Sequence, residues 1–81
     1  NKKKLSYKQQ YALEHLPDQM QSIEDQITKY KESLSNPNLF QNDPDEFARI
    51  SENLEQSTDE LTKLEEEWLK LELLREELES G

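Results

Sequence analysis

The sequence has no cysteine and a single glycine, at position 81. The first absence excludes a disulfide scaffold, a thiolate nucleophile and thiolate metal ligation. The second excludes a glycine-rich phosphate loop, which needs several glycines close together. No apolar run approaches the roughly 20 residues that span a bilayer, and no signal-peptide pattern opens the chain. Only 31% of the 81 residues are hydrophobic, too few to fill a broad globular core. The chain is one small domain at most.

Charge is abundant instead: 36% of residues are charged, with a net charge of −9. Glu, Lys, Leu and Gln with sparse Gly and Pro is the composition of a long helix or coiled coil. Low hydrophobicity with high charge also fits disorder, and the periodicity decides between them. Leu13, Leu16, Met20, Ile23, Ile27, Tyr30 and Leu34 step by 3 and 4 in alternation. Phe47, Ile50, Leu54, Ser57, Leu61, Leu64, Trp68 and Leu71 do the same, with Ser57 as the one polar layer. Both are heptad seams. Beyond Leu71 the apolar stripe spreads around the helix through Leu73, Leu74 and Leu78.

Local signals set the boundaries. Ser6 with Gln9 fits an S-x-x-Q capping box. Ser35-Asn36-Pro37-Asn38 is a cluster of turn formers, with Leu39 and Phe40 as an apolar island in the loop. Asp43 as N-cap, Pro44 at the first helical position and Glu46 three residues on predict a second capped start. Pro17 interrupts the first arm, since a helix interior tolerates proline badly. The expected fold is all-α: an antiparallel two-helix coiled-coil hairpin with a short proline-broken N-terminal helix. Its segments are a basic linker end at 1–5 and a hairpin domain at 6–81. Within that domain the expected helices span about 6–15, 17–35 and 44–79, with a loop at 36–43. Facing residue numbers sum to about 84 in one register and about 77 in the other. The first pairs Leu34 with Ile50, Ile23 with Leu61 and Leu16 with Trp68, and it leaves less of the second arm unpartnered. The rod should be about 50 Å long.

The arms differ in charge. Residues 1–35 carry six lysines against five acids, and residues 36–81 carry four bases against fourteen acids. Nucleic-acid binding needs clustered Lys and Arg, which the second arm as a whole opposes. Arg49, Lys63 and Lys70 share one heptad position, but Asp45, Asp59 and Glu66 precede them by four residues. Asp25 and Lys29 repeat this spacing. Such acid-then-base pairs neutralise the base locally, so the stripe reads as a solvated helix face. The best basic patch is Lys2, Lys3, Lys4 and Lys8.

Catalytic chemistry has little to draw on. His15 is the sole histidine, and heptad phase turns it outward. Glu14 beside it points elsewhere on a helix, so a surface histidine is the better reading than a metal ligand. Glu65-Glu66-Glu67 has no differentiated environment to tune its carboxylates. No catalytic, cofactor or metal site is expected in this chain. Trp68 belongs to the seam, where it meets Leu16 beside Pro17. Tyr7 and Tyr11 lie in the turns before, and core packing is favoured over base stacking for them. With Phe40, Pro44 and Phe47 these residues are assigned structural roles.

LSYKQQYALEHLP at 5–17, NPNLFQNDPDEF at 36–47 and EEEWLKLELL at 65–74 together resemble the C-terminal domain of ABC-F ATPases of the Uup type. The resemblance keeps the order and spacing of all three blocks over nearly the whole chain. The L-S-Y-K-x-Q run with L-P eleven residues on from its leucine is the more specific part, and W-L-x-L-E is weaker alone. It implies a parent with two ATP-binding cassettes in one chain, using ATP and Mg, cytosolic and without a membrane domain. It also implies a C-terminal coiled-coil hairpin after a basic linker, associated with DNA binding, in a family many of whose members act on the ribosome. The chain departs from the family at Tyr11 and Glu67, positions that are often basic. Lys2, Lys3, Lys4, Lys8, Lys29 and Lys31 carry over as candidate contacts to DNA or ribosomal RNA. With no methionine at its start, the sequence is expected to be a domain of a longer protein. The competing expectation is a protein-interaction or self-associating spacer, with a homodimer formed through the leucines at 69–78.

Overall fold

A computed structural model describes residues 4–80. Three helices follow in order, α1 Tyr7–Leu34, α2 Pro37–Asn42 and α3 Pro44–Ser80. Helices α1 and α3 pack together as a helical hairpin, and α2 closes its turn. The rod measures 64 × 16 × 14 Å. It exceeds the expected length because α3, at 37 residues, runs for about 55 Å by itself.

Helix α1 begins where its sequence can satisfy the first free N–H groups. Ser6 Oγ accepts from the Gln9 N–H at 3.1 Å, and Gln9 Oε1 accepts from the Ser6 N–H at 2.9 Å. The two bonds form a complete capping box. The helix ends at Ser35, whose N–H reaches the Lys31 carbonyl at 3.0 Å. The Ser35 hydroxyl donates to the Glu32 carbonyl at 2.7 Å.

The expected break at Pro17 is corrected: α1 runs through Pro17 as one helix. Proline deletes the bond that its N–H would give to the Leu13 carbonyl. Pro17 itself is exposed, outside the packed seam. Leu16 before it and Ile23 after it are both buried, so core residues hold the helix on each side. The N-terminal segment is therefore not re-aimed, and it continues α1.

The expected loop at 36–43 is also corrected, because residues 37–42 form α2. Asn36 Oδ1 accepts from the Asn38 N–H at 3.0 Å, and Pro37 supplies a preset first helical position. The Phe40 ring meets Phe47 edge-on, with centroids 5.2 Å apart, and ties α2 to the first turn of α3. Asp43 serves both helices. Its N–H donates to the Leu39 carbonyl at 2.8 Å, and its Oδ1 accepts from the Glu46 N–H at 3.1 Å. Because the Asp43 N–H is spent on α2, Glu46 does not close a capping box. Its carboxylate binds Arg49 instead.

The core is thin, since each seam is covered from one side only. Leu16, Ile23 and Ile27 of α1 are buried with Ser57 of α3, while Leu54, Leu61, Leu64, Trp68 and Leu71 are half-buried. Pro17, Met20 and Glu24 line one groove with Glu65, Trp68 and Leu69. Trp68 thus lies beside the Leu16–Pro17 turn, which agrees with the register that pairs Leu16 with Trp68.

Candidate nucleic-acid interface

The N-terminal end of α1 carries four residues on one face. Tyr7, Lys8, Tyr11 and His15 are spaced by one, three and four, which stacks them over successive turns. Tyr7 is 82% exposed and Tyr11 55%. This corrects the expectation that both tyrosines fill the core. Among the described residues no third element packs against this end to bury them. The rings of Tyr11 and His15 stack with centroids 4.0 Å apart at 37°. His15 is consequently half-buried rather than fully outward. The capping box fixes this turn, and Gln10 Nε2 adds a bond to the Leu5 carbonyl at 3.1 Å.

Lys4 precedes Tyr7 and Lys8 lies between the two tyrosines, and both lysines are exposed. Lys2 and Lys3 lie outside the described residues. No acid precedes Glu14 in the sequence. The antiparallel pairing, however, carries the end of α3 alongside this segment, bringing Glu76, Glu77 and Glu79 to the same end of the rod. The other two candidates do not join it. Lys29 and Lys31 lie near the opposite end of α1, about 30 Å from Lys8 along the helix. Lys31 occupies the last turn, where a cation offsets the partial negative charge of the helix C-terminus.

Among the described residues the ion pairs are Arg49–Glu46 and Arg75–Glu72, both three residues apart. Arg49 was expected to pair with Asp45. The expected Asp59–Lys63, Glu66–Lys70 and Asp25–Lys29 contacts are not formed, and Asp25 accepts from Gln21 Nε2 at 3.1 Å. Glu46, by hydrogen bond and charge, raises the pKa of the Arg49 guanidinium. Among the described residues no group of three His, Cys, Asp or Glu side chains is placed to hold a metal. No described helix is long and apolar enough to cross a membrane.

Of the structurally assigned residues, Leu16 is the most buried side chain of the core, at 4% exposure. Phe47 is half-buried, whereas Phe40 is largely exposed and makes its contact at the ring edge. Sequence reasoning missed the exposed tyrosine–histidine face. The signal for it is the 7, 8, 11, 15 spacing, which lies off the heptad seam that begins at Leu13.

No curated protein and no solved structure matches the sequence. Residues 4–73 match the family model of the ABC transporter C-terminal domain. That stretch takes in all of α1 and α2, most of α3, the exposed aromatic face and the Trp68 groove. The chain belongs to the ABC transporter C-terminal domain family, an accessory part of ABC proteins.

Proposed function

We propose that this domain is a non-catalytic arm of an ABC-F ATP-binding protein of the Uup type, and that its N-terminal end contacts nucleic acid. In this reading ATP and Mg bind the parent's cassettes, the parent works in the cytoplasm, and the hairpin extends from it as a rod. The observation that carries the proposal is the exposed face of Tyr7, Lys8 and Tyr11 at the basic end of α1. Exposed aromatic rings offer stacking surfaces to unpaired bases, and lysines replace counterions along the phosphates. Since stacking needs an open base, single-stranded segments are the favoured target over uniform duplex.

Anisotropy titrations of labelled single-stranded DNA, duplex DNA and an RNA hairpin at two salt concentrations test this. The expected result is binding that is strongest for single strands, weakens steeply with salt, and is lost in a Lys2/Lys3/Lys4/Lys8→Ala variant. Absence of binding to all three at low salt contradicts it. Comparable affinity for single-stranded DNA and RNA would assign the contact to phosphate and base stacking rather than to the sugar.

A further inference from the structure

The groove between the arms has a different character from the basic end. It is lined by the apolar Pro17 and Met20 of α1 and Trp68 and Leu69 of α3, with Gln21 as a neutral polar member. Glu24 and Glu65 complete the lining, and neither makes an ion pair among the described residues. Its volume is about 400 Å³, enough for one or two side chains but not for a folded surface. One turn beyond Leu69 the apolar strip continues with Leu73, and these two leucines are 52% and 55% exposed. The helix-surface neighbours of this pair include Glu65, Glu66, Glu76 and Glu77, with Lys70 as the one unpaired base.

We propose that this groove and strip dock a basic amphipathic helix from a protein partner. Two features select that occupant. Leu69 and Leu73, four residues apart, present apolar contacts at the spacing that an apolar helix stripe matches. The carboxylates on both sides require cations flanking that stripe. A second copy of this chain would bring like charges together, since its own strip has the same acidic flanks. Nucleic acid would set phosphates against glutamates. The Leu73 end of the strip adjoins the N-terminal face, with Glu76 and Glu77 beside both, while the groove at Trp68 lies further along the rod; the proposal does not rest on nucleic-acid contact at that face.

Trp68 is the only tryptophan, so its emission reports occupancy directly. The probe is a synthetic helix of roughly 18 residues with Leu at i, i+3, i+4 and i+7 and Lys on its remaining faces. The control keeps the leucines and replaces Lys with Glu. The 81-residue chain should give a saturable blue shift of Trp68 with the Lys peptide and none with the Glu peptide. Glu24→Gln with Glu65→Gln should weaken binding about tenfold, with unchanged helical circular dichroism. Leu69→Ser removes one wall of the groove and should weaken it as well; the side chain is half exposed, so the helix should persist. No response to the Lys peptide overturns the proposal, as does an equal response to both peptides. So does a shift that grows with protein concentration alone, which would make a second copy the occupant, or a shift produced by an oligonucleotide.

Discussion

Tyr11 and His15 stack their rings 4.0 Å apart on the solvent face of α1, one turn before Pro17. The stack extends an aromatic surface that begins with Tyr7, which is almost free of protein contact. Tyr7→Ala and Tyr11→Ala should leave the thermal midpoint nearly unchanged, because neither ring is in the core. Each should lower single-stranded DNA affinity by about 1–3 kcal/mol if it stacks a base. Parallel melting curves and anisotropy titrations check this. A large loss of stability with no change in affinity would return the tyrosines to a packing role.

Pro17 lies inside a helix without ending it. It therefore imposes a cost that flanking packing offsets. Pro17→Ala restores the bond to the Leu13 carbonyl and should raise stability by roughly 1–3 kcal/mol. Urea unfolding measures the change. Lower stability in the variant would mean that the proline ring makes a packing contribution larger than the backbone penalty.

At the turn, Asp43 and Glu46 have separable roles. Asp43→Ala removes the side-chain acceptor for the Glu46 N–H and should cost about 1 kcal/mol. Glu46→Ala removes the pair with Arg49 and one of the two acids in the first turn of α3, and should cost less than Asp43→Ala. Equal, large losses in both variants would indicate the reciprocal box that the structure does not form.

The acidic end of α3 works against phosphate binding at the neighbouring lysines. A Glu76/Glu77/Glu79→Gln variant should bind single-stranded DNA more tightly, by several-fold at low salt, with the gain shrinking as salt rises. Unchanged affinity would show that nucleic acid does not approach this end.

Much of the fold was legible because its signals are periodic. The 3–4 stepping of the two seams defines the hairpin, and Ser6 with Gln9 defines its first cap. Pro17 misled because a local steric rule takes no account of Leu16 and Ile23 packing on either side of it. The turn misled because Leu39 and Phe40 read as loop residues until Phe47 supplies a tertiary partner for Phe40. Of the expected four-residue pairs, only that of Arg49 has a counterpart, with Glu46 at three residues, while Lys29, Lys63 and Lys70 make no ion pair among the described residues, because an exposed pair gains little over solvation. The exposed aromatic face was hidden for a different reason. Heptad phase identifies what faces the partner helix, and it ranks nothing among the residues that do not.

The central claim is that nucleic acid meets this domain at the N-terminal end of α1. Amide chemical-shift mapping of the 15N-labelled 81-residue chain, titrated with a short single-stranded oligonucleotide, tests it most directly. The account predicts shifts that concentrate on residues 4–15 and on the adjoining end of α3, with residues 36–47 unmoved. Shifts centred on Lys29, Lys31 and the turn, or no shifts at low salt, would contradict it.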